Sequence, residues 1–289
     1  MRFEGAWTAL VTPFRGGAVD YDSLGRLIDW QIDQGIDGLV ACGCTGEAAT
    51  LDHDEHLGVV RFTVERARGR VPVMGGSGRN DTRATAALSR EVAALGVDAL
   101  LVITPYYNKP VQKGLAAHFE AVAEAAGIPV VVYNVPGRTG VSIAPSTVAG
   151  MAANPLITCI KEAGGAAERV TAIRSLCGIG ILSGDDHLAL AEMALGADGV
   201  ISVVSNVAPA AVAEMMALAS GNRYDAARRI NDRLHPLTEA LFLESNPIPV
   251  KCALAMMGMI EDELRLPLTR MREDLRPALS AALHAAGVT

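Results

Sequence analysis

Eight short apolar runs recur at similar intervals along most of the chain, and segments with helical periodicity separate them. Each run is continuously apolar and does not alternate with polar residues, as is typical of parallel strands buried on both faces. Several intervening segments end in glycine just before the next run, as in QGIDGL, LGVDAL and LGADGV, and glycine is a common helix C-terminal signal. The runs occupy residues 7–14, 38–43, 71–78, 99–105, 129–136, 157–164, 179–186 and 199–206.

This number of strand–helix units predicts an α/β fold of the (β/α)8 type, that is, a TIM barrel. An open, doubly wound sheet is the alternative, but eight units of nearly equal length favour closure. The strand pattern stops after residue 222, and the segments that follow have helical patterns. We therefore expect a catalytic barrel over residues 1–222 and a small C-terminal helical domain over residues 223–289, without a flexible linker.

Charge and composition argue against several classes of protein. The formal net charge of −7 gives no support for binding to nucleic acid or to a membrane surface. The N-terminal sequence lacks signal-peptide features and no apolar run reaches about 18 residues, so we expect a cytosolic protein without a transmembrane helix. The five cysteines form no CxxC pair, and CGC at 42–44 is too closely spaced for a structural zinc site. We therefore expect free thiols and no bound metal.

Lys161 departs most clearly from the apolar strand pattern. It ends the run ITCIK and is followed by Glu162. Active-site residues of TIM barrels lie at the C-terminal ends of the strands, and burial there lowers the pKa of a lysine from about 10.4, so that the amine can attack a carbonyl carbon. The alternative is an ion pair with Glu162 or with an acidic residue across the barrel. Tyr133 ends the neighbouring strand, and its phenol could carry the proton transfers of a Schiff-base mechanism, which favours a catalytic lysine.

Other strand ends also carry unusual residues. The segments GCTGEAATLDHDEH, TPYYNKP, YNVPGRTG, IKEAGG, LSGDD, GVISV and NPIPVK, in this order and spacing, resemble the 4-hydroxy-tetrahydrodipicolinate synthase (dihydrodipicolinate synthase) family. The resemblance runs from the first strand through the helical domain. It implies a TIM-barrel enzyme that condenses pyruvate, held on Lys161 as an imine and then an enamine, with L-aspartate-4-semialdehyde. It implies no metal and no organic cofactor, because the imine nitrogen is the electron sink.

The resemblance implies roles at the reacting atoms for four residues. Lys161 corresponds to the Schiff-base nucleophile and Tyr133 to the tyrosine that shuttles protons. Tyr107 corresponds to a relay tyrosine contributed by a neighbouring subunit, in a family that forms homotetramers built as dimers of dimers. Cys44 takes the place of the usual threonine, whose hydroxyl bridges the two tyrosines, and a thiol is a weaker hydrogen-bonding group.

Five further residues correspond to substrate-binding positions. Thr45 matches the residue that binds the pyruvate carboxylate, and Ile201 matches one whose backbone carbonyl contacts the bound keto acid. Arg138 matches the residue that binds the semialdehyde carboxylate, where a bidentate guanidinium fits well. It also resembles the synthase branch, since the N-acetylneuraminate lyases of the same superfamily usually have an aliphatic residue there. Gly184 and Asp185 lie where the second substrate is held.

Two other functions remain open at this point. Because Cys44 departs from the family pattern, the chain could be a pyruvate-type Schiff-base aldolase or dehydratase acting on another keto acid. A non-catalytic barrel kept for binding is a third possibility. The retained lysine, tyrosines, threonine and arginine argue against it.

The resemblance also implies a regulatory site, because lysine-sensitive members bind L-lysine at the tight dimer interface. The matching residues retained here are His53, His56, Asn80 and Tyr106. At Ala84, sensitive members carry a glutamate that is the partner of the ligand's side-chain ammonium. A lost charge-assisted hydrogen bond of roughly 1.5–3 kcal/mol corresponds to about ten- to a hundredfold in affinity.

We therefore predict weak or no inhibition at millimolar L-lysine, because the ammonium lacks its carboxylate partner at position 84. A steady-state titration of activity measures it, and Ala84→Glu should raise the sensitivity. Half-inhibition of the unaltered chain far below about 1 mM would contradict the prediction.

Overall fold

The computed structural model describes residues 3–288, in which eight parallel strands close into a barrel. Each barrel strand overlaps one of the eight apolar runs, which confirms the predicted strands, although β1 ends at Ala9 and the run 7–14 extends beyond it. A short antiparallel hairpin, β2 (Phe14–Arg15) and β3 (Ala18–Val19), was not predicted. The barrel strands are β1 (Gly5–Ala9), β4 (Gly38–Ala41), β5 (Val73–Gly76), β6 (Ala99–Ile103), β7 (Val130–Asn134), β8 (Ile157–Glu162), β9 (Gly180–Ser183) and β10 (Gly199–Ser202).

The sheet closes because β1 pairs with β4 on one side and with β10 on the other. In this register Trp7 lies opposite Gly38 and Ile201. A Cβ atom on Gly38 would lie 2.3 Å from the Trp7 ring, so the indole ring packs directly on this backbone. The closed ring confirms the predicted TIM barrel and excludes the doubly wound sheet.

Helices alternate with the strands and cover the outside of the barrel. Asp20, Asp52 and Asp81 each accept a hydrogen bond from the backbone N–H three residues later, which caps the first turns of α1, α2 and α3. These outer helices are α1 (Tyr21–Asp33), α2 (His53–Ala67), α3 (Thr82–Ala94), α4 (Gln112–Ala126), α5 (Pro136–Thr139), α6 (Pro145–Met151), α7 (Glu168–Arg174), α8 (Ala189–Ala194) and α9 (Pro209–Ser220).

The strand side chains alternate between two apolar clusters, because successive residues of a strand point to opposite faces. The inner cluster fills the barrel and includes Trp7, Val40, Met74, Tyr133 and Cys159. The outer cluster lies between the strands and the helices and continues into the C-terminal segment. Residues of one strand therefore divide between barrel interior and helix interface, which decides which polar groups reach the site.

The C-terminal segment consists of α10 (Tyr224–Ala240), α11 (Ile248–Met256) and α12 (Arg276–Ala285). α10 packs against α9 of the barrel and against α12. The sequence 269–287 has a helical pattern, but its prediction over residues 269–275 was wrong, since α12 begins only at Arg276 with a proline in its first turn, a position that proline favours. The predicted boundary after residue 222 falls between α9 and α10, and the division into two domains stays a prediction.

Within residues 3–288, no helix is both long enough and apolar enough to cross a membrane.

One fully buried ion pair joins the C-terminal segment to the barrel. The Lys251 ammonium of α11 donates to Glu47 Oε1 at 2.5 Å and to the Thr12 carbonyl at 2.9 Å, and it lies 4.2 Å from the centre of the Phe14 ring. Burial lowers the pKa of Lys251, and the negative charge of Glu47 opposes this shift. Glu47 also accepts from the backbone N–H of Arg265, so both ends of the pair are held.

We predict that Lys251→Met destabilises the protein by about 3–5 kcal/mol, because it leaves the Glu47 carboxylate buried without its cation. Denaturant unfolding at a fixed protein concentration measures this. The double variant Lys251→Met/Glu47→Gln should lose less than the single variant, and Lys113→Met, at an exposed lysine, should change little. Equal losses in the single and double variants would show that the pair has no such role.

Candidate active site

Lys161 lies at the carboxyl end of β8 with its side chain inside the barrel. It is on the same face of the strand as Cys159 of the inner cluster and is only 6% exposed. Its register partner on β7 is Tyr133, and the Lys161 Nζ atom lies 4.3 Å from the centre of the Tyr133 ring. Parallel pairing of neighbouring strands therefore brings the predicted nucleophile and the predicted phenol into contact.

Glu162 points the opposite way and does not pair with Lys161. Its buried carboxylate accepts hydrogen bonds from Asn134 at 2.7 Å and from Arg169 at 3.0 Å. Among the described residues, no carboxylate forms a salt bridge with Lys161. The ion-pair alternative for this lysine is therefore absent from the structure.

The surroundings of Lys161 increase the fraction of its amine that is neutral. Burial lowers the pKa of Lys161 to about 8, and the positive charge of Arg138 acts in the same direction. Cys44 and the carboxyl groups of Asp186 and Asp185 act the other way. With this pKa about one lysine in ten is neutral at pH 7, against less than about one in a thousand for a free lysine. The neutral form is the one that attacks carbonyl carbon.

Tyr133 is kept in its protonated form. Burial raises the pKa of Tyr133 well above its usual value, neighbouring Cys44 raises it further, and the positive charge of Arg138 opposes the shift. A phenol that stays protonated can donate a hydrogen bond or a proton to a group developing negative charge. Cys44 is half-buried, forms a side-chain hydrogen bond with Tyr133 and interacts electrostatically with Lys161, and its place in a relay stays a prediction.

The loop after β9 approaches Lys161 closely. The backbone N–H of Gly184 donates to the Glu162 carbonyl at 2.6 Å, and a Cβ atom on Gly184 would lie 3.0 Å from Lys161 Cε and 2.7 Å from Ala163 Cβ. A side chain at position 184 would therefore clash with Ala163 and crowd the lysine side chain. The carboxyl group of Asp185 is half-buried nearby.

Asp186 is a buried residue whose carboxyl group interacts electrostatically with Lys161. The sequence alone assigns it no role. Burial raises the pKa of Asp186, although it accepts hydrogen bonds from the Ser202 hydroxyl at 2.5 Å and from the Val203 backbone N–H at 2.8 Å. These bonds hold the turn after β9 against the end of β10. The two aspartates in LSGDD indicate that an acidic residue lies near the site. The packing of β9 against β10 is needed to show that Asp186, and not Asp185, bonds to the end of β10.

Asn246 is a second residue for which the sequence alone predicts no role in the site. Its side-chain amide donates to the Thr45 hydroxyl at 3.0 Å, and its backbone carbonyl accepts from Arg138 at 3.0 Å. Asn246 belongs to the C-terminal segment and therefore connects Thr45 and Arg138, the two residues predicted to bind substrate carboxylates. The motif NPIPVK drew attention to this segment, but a contact across 201 residues cannot be read from spacing.

A cavity of about 380 Å³ opens at the carboxyl ends of the strands. Cys44, Tyr133, Arg138 and Asn246 line one part of it, so the thiol, the phenol and the guanidinium share one space. Ile201 lies inside the barrel on β10 with a fully buried side chain, and the contact of its backbone carbonyl with a substrate stays a prediction.

Tyr107 differs from the other predicted catalytic residues. Its side chain is 90% exposed, and its backbone has a positive φ of 71°. The single chain does not bring this phenol into the buried site. Its assignment to the site of another subunit stays a prediction.

The predicted lysine-site residues are only partly brought together. His56 and Tyr106 line the same cavity as Tyr133, and His56 is bonded through Nε2 to the Gly76 carbonyl at 2.7 Å. His53 lies on the surface and contacts Glu91 at 2.8 Å. The backbone carbonyl of Asn80 accepts from Asn108, and Ala84 is exposed in the first turn of α3. Within one chain these residues do not form a single closed site.

A buried and partly neutral lysine, a protonated phenol in contact with it and an arginine at the mouth are suited to Schiff-base chemistry on a carboxylated carbonyl compound. That chemistry defines a class of TIM-barrel lysine enzymes. The chain belongs to the dihydrodipicolinate synthetase family, whose model matches residues 2–286.

Individual relatives cover essentially the whole chain. The 4-hydroxy-tetrahydrodipicolinate synthase of Nitratidesulfovibrio vulgaris (strain DP4) is 48% identical, with 100% of both chains covered. That of Pelobacter propionicus is 47% identical, with 99% of each covered. A crystal structure of chloride-inhibited dihydrodipicolinate synthase from Acinetobacter baumannii complexed with pyruvate is 45% identical, covers 99% of each chain and superposes with a TM-score of 0.97.

We predict that Gly184→Ala lowers the rate of imine formation on Lys161 by about ten- to a hundredfold, because the added methyl group clashes with Ala163 and the resulting shift of the loop crowds the lysine side chain. Borohydride trapping of the predicted substrate pyruvate, followed over time by mass spectrometry, measures the rate. Gly150→Ala is the control, since nothing lies near a Cβ atom there. A Gly184→Ala variant that traps at the unaltered rate would refute the steric argument.

Proposed function

We propose that the chain is a 4-hydroxy-tetrahydrodipicolinate synthase, a lyase that condenses pyruvate with L-aspartate-4-semialdehyde in the diaminopimelate route to lysine. The observation that carries the proposal is the buried Lys161 amine, with a pKa lowered to about 8, in contact with Tyr133. Membership of the family and near-complete coverage of relatives with this name support it. Pyruvate in the A. baumannii relative supports the first substrate.

The reaction begins when Lys161 Nζ bonds to the C2 carbonyl carbon of pyruvate and water leaves. Loss of a proton from C3 gives the enamine, and C3 then bonds to the aldehyde carbon of the semialdehyde. The amino group of the joined chain bonds to C2, expels the lysine nitrogen and closes a six-membered ring. Each step needs a proton moved near Lys161, which is the role proposed for Tyr133.

The substrate carboxylates are assigned to two groups that Asn246 connects. Thr45 binds the pyruvate carboxylate. Its hydroxyl oxygen accepts a hydrogen bond from Asn246, so the hydroxyl hydrogen remains to be donated to the carboxylate. Arg138 binds the semialdehyde carboxylate, and its bond to the Asn246 carbonyl holds the guanidinium at the cavity. Gly184, Asp185 and the Ile201 carbonyl complete the proposed substrate contacts.

Tyr107 and Cys44 complete the proposed proton relay. Tyr107 enters the site of a neighbouring subunit, so catalysis needs at least a dimer, and we propose the family's homotetramer, a dimer of dimers. The 90% exposure of the Tyr107 side chain in one chain supports this. Cys44 stands between the tyrosines in place of the usual threonine.

A second candidate is another pyruvate-type aldolase or keto-acid dehydratase of the superfamily. The interaction of the Cys44 thiol with Tyr133 is the observation that favours it, because a weaker hydrogen-bonding group alters the relay at the reacting atoms. Arg138 favours the synthase, since a guanidinium at the mouth matches a second substrate with its own carboxylate.

We predict that Lys161→Ala folds but no longer becomes covalently labelled by pyruvate and borohydride, because it lacks the amine that forms the imine. Mass spectrometry of intact protein and of peptides measures the label. Lys109→Ala, at an exposed loop lysine, should be labelled like the unaltered chain. Labelling of Lys161→Ala at the unaltered level would disprove the assignment.

Turnover decides between the two candidate reactions once imine formation is established. The synthase should consume aspartate semialdehyde with pyruvate far faster than it cleaves or dehydrates 2-keto-3-deoxy sugar acids. The reverse preference would support the second candidate, and labelling without turnover of either kind would support a binding protein.

A further inference from the structure

A cluster of two histidines and one glutamate lies on the surface, outside the groups used for the proposed reaction. His187, His235 and Glu239 each offer one ligand atom, and these atoms lie within 4.8 Å of one another. Within residues 3–288 this is the single group of three or more potential metal ligands. We propose that these three residues form a binding site for one divalent transition-metal ion of the Zn²⁺, Co²⁺ or Ni²⁺ type.

Two of the three ligands are placed by helix geometry. His235 and Glu239 are four residues apart on α10, so their side chains lie one above the other on the same face. This is the spacing at which two histidines on one helix face bind zinc in the H-E-x-x-H motif. Both are exposed, which allows entry from solvent.

His187 is held close to His235 and Glu239 of α10 by the residues around it. It lies in the turn between β9 and α8, directly after Asp186, whose hydrogen bonds to Ser202 and Val203 fix that turn. Its ring packs against Phe242 with 5.3 Å between the ring centres. Its Nδ1 atom lies 3.3 Å from Glu239 Oε1.

These separations fit a metal centre after small side-chain movements. Ligand atoms about 2.0–2.2 Å from a tetrahedral zinc ion lie about 3.3–3.5 Å from one another. The His187–Glu239 distance is already in this range, and the longer separations need rotation only of exposed side chains. Two imidazoles and a carboxylate form a donor set for zinc and related ions, with a fourth position open to water.

A bound ion would connect two parts of the fold. His187 follows a barrel strand, whereas His235 and Glu239 belong to the C-terminal helix α10. An ion that binds the folded chain and not the unfolded chain raises the unfolding temperature. The expected role is therefore to fasten the turn after β9, which also carries Gly184 and Asp185, to α10.

The test uses the full chain after treatment with a chelator. Equilibrium dialysis with Zn²⁺ should give one bound ion per chain, and Zn²⁺ should raise the unfolding temperature. Co²⁺ should give the visible absorption of a four-coordinate nitrogen and oxygen site, without the near-ultraviolet charge-transfer band of a thiolate ligand. His235→Gln and His187→Gln should lose the bound ion, the temperature shift and the Co²⁺ spectrum, and His284→Gln, on α12, should retain all three.

Three results would overturn the proposal. One is no binding to the unaltered chain at micromolar Zn²⁺ or Co²⁺. Another is full binding by the variant His187→Gln/His235→Gln. The third is a thiolate-type Co²⁺ spectrum, which would place the ion on cysteines such as Cys44 or Cys177.

Discussion

The burial of the Lys161 amine is the constraint to which the rest of the candidate site conforms. An ammonium group removed from water is costly unless it is paired or loses its proton. The barrel supplies no salt bridge for Lys161 within residues 3–288, and its own neighbour Glu162 is bonded to Asn134 and Arg169 on the other side of the strand. The free energy of desolvation is therefore expressed as a lowered pKa, which is what a nucleophilic amine requires.

The C-terminal segment contains a second buried lysine, Lys251 on α11, whose charge is paired instead. Lys251 is fully buried but donates to the Glu47 carboxylate and to the Thr12 carbonyl, and so remains a structural cation. Glu47 follows Thr45 by two residues in the loop after β4. The side-chain amide of Asn246, in the C-terminal segment, donates a hydrogen bond to the Thr45 hydroxyl. The C-terminal segment thus holds the proposed carboxylate-binding loop through an ion pair and an amide, and it is part of the site as much as of the fold.

How far the sequence could predict this arrangement depends on the range of the contacts. The eight strands, and the meeting of Lys161 with Tyr133, follow from local patterns, because neighbouring parallel strands end at the same edge. The hairpin of β2 and β3 was missed because each strand has only two residues. The roles of Asp186 and Asn246 depend on contacts with Ser202 and Thr45 that are distant in sequence. The grouping of His187 with His235 likewise needs the packing of α10 beside the barrel.

The conformation and exposure of Tyr107 are not explained by contacts within one chain. A bulky residue with a positive φ is under backbone strain of order 1–3 kcal/mol, and such strain persists where the surroundings or a function require it. In the single chain this side chain is 90% exposed, so burial within the barrel does not compensate for the strain. A contact with a second copy would bury the ring and offset this cost. The exposed ring of Tyr107, which the single chain leaves without a packing partner in the barrel, is the physical feature that supports the proposed contact with a second copy.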